Sequence, residues 1–134
     1  MYKTIITPRV SETDAMGHIN NTTLPVWFEA GRHPIFKLFT PDHDFRKWKM
    51  VIVKTTLDFL EQVYFGKDVE IRTRVKRIGN TSLELYEELY QNDKLCAKNE
   101  AIYVNYDFVK QKTERIPDEI RNELTKHLMT TNLV

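Results

Sequence analysis

From residue 50 onward, apolar and polar side chains alternate with a period of two through four successive runs, whereas the first third of the chain follows a longer rhythm. Val51, Val53, Thr55, Leu57 and Phe59 share one face of the first run, and Val69, Ile71, Thr73 and Val75 share one face of the second. Asp68, Glu70, Arg72, Arg74 and Lys76 stand opposite the second set, the pattern of a half-buried strand. Leu83, Leu85 and Leu89 mark the third run, and Cys96, Ile102, Val104 and Tyr106 mark the fourth. The stretches FGKD, IGNTS and QNDK supply turns, the last two short enough for antiparallel hairpins. Ahead of these runs, YKTIITPRV reads as a strand whose far end Pro8 confines to an edge or a bulge. From about Thr22 the period becomes helical, with Val26, Trp27, Ala30 and Phe36 available for a buried stripe. Pro25 suits a first turn and Pro34 does not suit an interior, which predicts a kink or restart near His33. TPDHDFRKWK reads as a loop. The last element, IPDEIRNELTKHL, spaces Ile120, Leu124 and Leu128 four apart behind an acidic first turn, which predicts a surface helix.

Strand, helix, four strands and a terminal helix, with no linker or repeat, predict one α+β domain over residues 1–134, its tail peripheral from about residue 129. An antiparallel meander packed on a helix leaves open edges, and a second copy of the chain closes them; a homodimer is expected, with a homotetramer as the next assembly. A length of 134 residues allows folding to bury roughly two-thirds of the surface an unfolded chain exposes. A net charge of +1 argues against nucleic acid or a membrane surface as partner. Cys96 is the lone cysteine, so no internal disulfide is expected. With neither a signal peptide nor an apolar span in the pattern, the cytoplasm is the expected compartment.

The stretch TDAMGHINNTTLPVWFEAGR carries the chemistry. It resembles the D-x-x-G-H-x-N-N … F-E-x-x-R signature of the acyl-CoA thioesterases of the hot dog fold, the group of 4-hydroxybenzoyl-CoA thioesterase. FLEQVYFGKDVEI and RIGNTSLELYEELYQNDKLCAKNEAIYV extend the resemblance over residues from about 5 to 107. It implies a curved antiparallel five-stranded sheet wrapped around one long helix, with active sites between subunits. Carried over by position, the catalytic carboxylate is Asp14, and the Gly-His and paired asparagines are Gly17, His18, Asn20 and Asn21. Glu29 and Arg32 are the helix acid and arginine, and Leu24 stands where the family usually has a tyrosine.

The implied reaction hydrolyses an acyl-CoA to a carboxylic acid and coenzyme A. Asp14 either attacks the thioester or deprotonates a water. A backbone N–H at the helix start, by alignment that of Asn21, polarises the carbonyl. No metal or cofactor is implied; coenzyme A enters with the substrate. Gly17, His18, Asn20, Leu24, Trp27 and Glu29 are the candidate substrate-binding residues. Each has a structural reading beside it: turn for Asp14 and Gly17, cap for Asn20 and Asn21, loop orientation for His18, core for Trp27 and Phe28, and an ion pair for Glu29 with Arg32. Cys96 reads as an inert buried thiol, and His33, His43 and His127 as surface or loop residues. Arg72, Arg74, Lys76 and Arg77 either meet the coenzyme A phosphates or form a solvated face, the second being preferred. A module that binds acyl thioesters without cleaving them, or a hydrolase of acyl carrier protein, are the other functions this pattern serves.

Overall fold

Strands form where the alternation predicts them. The computed structural model describes residues 1–129. β1 (Tyr2–Ile6), β2 (Met50–Phe59), β3 (Val69–Ile78), β4 (Ser82–Gln91) and β5 (Lys94–Asp107) form one antiparallel sheet in the order β1-β3-β4-β5-β2. The sheet curls around α1 (Leu24–Ala30) and α2 (His33–Phe39), the hot dog arrangement that the resemblance implies. Two further elements follow: β6 (Lys112–Thr113), paired with the end of β5, and α3 (Asp118–Thr125). The β4–β5 hairpin turns on Asn92 and Asp93, both with positive φ (53° and 60°), the geometry that matches strand twist in a two-residue link. Residues 130–134, which hold most of the expected peripheral tail, lie outside the described residues.

One face of the sheet is buried in alternate rows: Val69, Ile71, Thr73 and Val75 on β3, Leu83, Leu85, Glu87 and Leu89 on β4, and Ala97, Asn99, Ala101 and Tyr103 on β5. β2 departs from its expected single face. The register shifts between Ile52 and Lys54, so Ile52 opposes inward Tyr103 while Thr55 opposes inward Ala101. Val51 therefore pairs with Val104 on the outer face, and Val53 occupies the bulge, because one inserted residue reverses the alternation.

The central helix breaks where the prolines predict. Pro34 sits in the first turn of α2, where its missing N–H costs nothing, and Arg32 caps that helix. Gly31 at the junction touches β3: a Cβ there would lie 2.6 Å from Ile71 Cγ2 and 3.0 Å from Thr73 Oγ1, so only glycine lets the helix come this close. The terminal helix is shorter than its sequence stripe. Leu124 is buried, but Leu128 lies beyond the helix, which ends at Thr125. The reason is an open edge. β1 stops pairing with β3 at Thr73, and Val75 then donates to His127 O at 2.9 Å and accepts from Met129 N at 2.8 Å.

The apolar interior has two parts. Around α1 gather Trp27, Phe28, Val69, Ile71 and Leu89. Around α2 gather Ile35, Phe36, Val75, Leu85 and Leu124. Arg32, Glu87 and Asn99 stand between them in the helix junction and on the middle strands, all buried.

Candidate active site

The residues before α1 form a folded arch whose base is Glu12. Its carboxylate is buried and accepts from the Arg9 amide at 2.7 Å, the Arg9 guanidinium at 3.0 Å and Trp27 Nε1 at 2.9 Å. Its carbonyl accepts from Asn20 N at 2.8 Å. Thr13 and Ile19 then bridge in antiparallel fashion, and Gly17 makes the turn with φ of +79°. A second segment braces the arch from outside: Ile19 N donates to Val63 O at 2.7 Å and Phe65 N to Gly17 O at 3.1 Å. That segment is held in turn by the buried Gln91 side chain, which accepts from Tyr64 N and donates to Tyr64 O and Lys67 O.

Burial acting alone would raise the Glu12 carboxyl, yet the Arg9 and Trp27 hydrogen bonds outweigh it and hold the group below the usual carboxylate range. A depressed folded value contributes stability above the unfolded pKa of about 4.3 and loses it as pH falls through the folded value. Glu12→Gln should therefore melt earlier than the parent at neutral pH, and the gap should close as pH drops below about 4. Thermal melts of both proteins across pH check this; a gap independent of pH would show that the Glu12 charge carries no part of it.

Asp14 sits at the tip. Its Oδ1 accepts from Met16 N at 2.7 Å and His18 N at 3.1 Å, and its own N–H donates to His18 O at 2.8 Å. Oδ2 accepts no hydrogen bond among the described residues; the His18 ring nitrogen Nδ1 lies 3.9 Å away. The side chain is 39% exposed. His18 packs edge-on against Tyr64 with ring centroids 5.0 Å apart, the contact of an orienting side chain. Asn20 caps the turn that follows: its Oδ1 accepts from the Thr22 amide at 3.0 Å and the Thr22 hydroxyl at 2.9 Å. Asn21 opens the short helical turn Asn21–Thr23, and among the described residues its N–H donates to no acceptor.

Other candidates lie elsewhere. Leu24 and Trp27 are core residues, 3% and 2% exposed, so the core reading of Trp27 is the one its position supports. Glu29 is exposed and does not pair with Arg32. Arg32 instead makes a two-pronged pair with Glu87, at 2.7 and 2.8 Å, reaching 55 residues along the chain. No helical spacing signals that partner, although a glutamate in the inward row of β4 does. Asn99 Nδ2 donates to Glu87 at 2.7 Å, and Arg32 Nη1 donates to Tyr103 Oη at 3.0 Å, which completes the layer.

Glu29 borders a cavity of about 340 Å³ between the helices and the start of β2. Phe36, Trp48, Met50, Ile52 and Tyr103 help line it. His33 and His43 also border it, placing two of the expected surface histidines in a cavity wall. Asp14 does not. Among the described residues no group of three or more His, Cys, Asp or Glu side chains is arranged to hold a metal ion. Cys96 is buried, which raises its pKa. On the outer face the basic residues are paired, Arg72 with Glu70, Arg74 with Glu88, Lys76 with Glu100 and Arg77 with Glu84, which favours the solvated face over a phosphate site. No helix among the described residues is long and apolar enough to cross a membrane.

Known proteins share this architecture. The profile of the thioesterase-like superfamily matches residues 8–124. A predicted thioesterase from Bacillus stearothermophilus is 56% identical, with a TM-score of 0.93 over 98% of each chain. A thioesterase from Thermus thermophilus, solved in complex with coenzyme A and Zn, shares the fold at 22% identity, with a TM-score of 0.81 over 92% of this chain and 96% of that one. The uncharacterized protein YsmA of Bacillus subtilis (strain 168) is 31% identical over 81 residues, 60% of this chain, and the match spans only 55% of that relative.

Proposed function

The chain belongs to the thioesterase-like superfamily, and from that premise we propose that it hydrolyses an acyl-CoA thioester to a carboxylic acid and coenzyme A, as a homodimer with Asp14 as its reactive carboxylate. The observation that carries this reading is the division of labour within Asp14. One oxygen is fixed by two amides while the other has no donor among the described residues. A carboxylate held this way is positioned yet unquenched, so Oδ2 either attacks the thioester carbonyl to give a mixed anhydride or takes a proton from an attacking water. The Asn21 N–H supplies the dipole for the developing oxyanion, a role in which one donor is typically worth about 10²- to 10³-fold in rate.

The acyl group occupies the cavity beside Glu29. Within one chain the carboxylate and that cavity are separate, and a site shared between two copies, with Asp14 from one and the cavity from the other, brings them together. β2 supports that assembly: it is a ten-residue edge strand bearing exposed Ile52, Val53 and Phe59. The ion pairs of the outer-face bases support a coenzyme A that stays largely solvated.

Thiol release from a panel of acyl-CoAs tests the activity directly. Release above the no-protein rate for at least one acyl class is expected. Tight binding with no release from any member would make the chain an acyl-thioester-binding module instead.

A further inference from the structure

Tyr64 lies outside the named strands, yet its backbone N–H and C=O are both paired, and by a side chain. Gln91, the last residue of β4 and only 5% exposed, accepts from Tyr64 N at 2.9 Å and donates to Tyr64 O at 2.8 Å. Its second amide proton goes to Lys67 O at 3.0 Å, across the turn that Gly66 makes with φ of +98°. A primary amide carries the same kinds of donor and acceptor as a peptide unit. Gln91 therefore presents to Tyr64 the pair of bonds that a neighbouring strand would present, at a place where the sheet has none.

The opposite edge of the same short segment carries the arch. Because Tyr64 turns its N–H and C=O toward Gln91, the Val63 carbonyl and the Phe65 N–H turn the other way, to Ile19 N at 2.7 Å and Gly17 O at 3.1 Å. His18 stands between those two bonds as the antiparallel partner of Tyr64, and the two rings pack edge-on. His18 is also the residue that holds Asp14: its N–H donates to Asp14 Oδ1 at 3.1 Å and its carbonyl accepts from Asp14 N at 2.8 Å. Between Glu61, whose N–H donates to Cys96 O, and the start of β3 at Val69, no other hydrogen bond from the sheet reaches this backbone among the described residues. One buried amide thus ties the brace of the arch to the rigid sheet.

We infer that Gln91 is a positioning residue for the reaction: its side chain stands in for a missing strand, fixes the Tyr64 segment against the arch, and through His18 keeps Asp14 in aim. The inference rests on the acyl-CoA reading above, with Asp14 as the reactive carboxylate. Gln91 itself touches no reacting atom, and neither it nor residues 63–67 border the cavity beside Glu29. Its influence is on geometry alone, where a misplacement of about 1 Å costs on the order of 10²-fold in rate.

Gln91→Met tests it, since methionine keeps an unbranched side chain of similar length and removes all three bonds. With the acyl-CoA that the parent hydrolyses best, kcat should fall by about 10- to 10²-fold while KM stays within about twofold. In an Asp14→Asn background the same substitution should cost less than about twofold more, because a residue that acts through Asp14 has nothing left to aim. A parent kcat in Gln91→Met overturns the inference, as does full additivity of the two losses. If Gln91→Met does not fold, amide hydrogen exchange in the parent decides: Tyr64 N–H should be about as well protected as Ile19 N–H, and exchange at Tyr64 faster by about tenfold or more overturns the inference. If no acyl-CoA is hydrolysed, the activity reading fails by itself, and exchange in Gln91→Met then decides for Gln91. The His18 and Ile19 amides should exchange about tenfold faster than in the parent while those in the middle of β4 keep their rates. Unchanged rates at His18 and Ile19, or an equal quickening throughout β4, would overturn the positioning role.

Discussion

Asp14→Asn should lower kcat by about 10²- to 10⁴-fold while the protein keeps its fold and assembly. Asparagine is nearly the same shape as aspartate, and its Oδ1 can still accept from Met16 N and His18 N, so the arch keeps its turn. What changes is the other branch. The oxygen without a hydrogen-bond donor becomes an amide nitrogen that neither attacks a carbonyl nor takes a proton from water. The substitution thus removes chemistry and spares geometry. Steady-state thiol release, together with a thermal melt and sedimentation of the variant, provides the check. Hydrolysis at the parent rate would remove Asp14 from the mechanism, whatever the family resemblance implies.

Glu87→Leu should be the most destabilising single change in the protein. It strands the Arg32 guanidinium, 4% exposed, with only the Tyr103 hydroxyl as partner, and leaves Asn99 Nδ2 without its acceptor. Breaking a buried pair by removing one member typically costs about 3–5 kcal/mol, which for a domain of this size lowers Tm by roughly 10 °C or more. The double variant Arg32→Met with Glu87→Leu should recover more than half of that loss, since paired charges in an interior are often replaced by apolar groups at little cost. Chemical denaturation of the two variants provides the comparison. A loss below about 1 kcal/mol for Glu87→Leu would mean that water reaches the pair and screens it.

The strands and their inward rows were legible because burial on one face imposes a period of two, and Val69, Ile71, Thr73 and Val75 carry it without interruption. The helix break was legible because Pro34 permits no other local outcome. The bulge at Val53 was not, since an inserted residue leaves no compositional mark in a run of β-branched side chains. The site divides in the same way. Asp14, Gly17 and Asn20 announce a turn and a cap within eight residues, and the local hydrogen bonds are those that such residues make. Glu12, Glu87, Asn99 and Tyr103 depend on partners up to 71 residues away, and although Glu87 falls in the inward row of β4, a single chain of letters does not reveal which distant partner each will meet. Arg32 illustrates the point. Glu29, at the right spacing for a helical pair, is passed over in favour of a strand residue that binds the guanidinium in the dry interior.

The inward row of β4 reads Leu83, Leu85, Glu87, Leu89 and Gln91. Alternation forbids the strand to slide by one position, because that would turn every leucine to water, but it is indifferent to a slide by two. A slide of two would set the carboxylate of Glu87 among the leucines' neighbours, away from its guanidinium, a misalignment with a buried unpaired charge. The pair therefore proofreads strand alignment at the step that greasy side chains cannot check, and a variant lacking both charges should be the one that populates shifted forms.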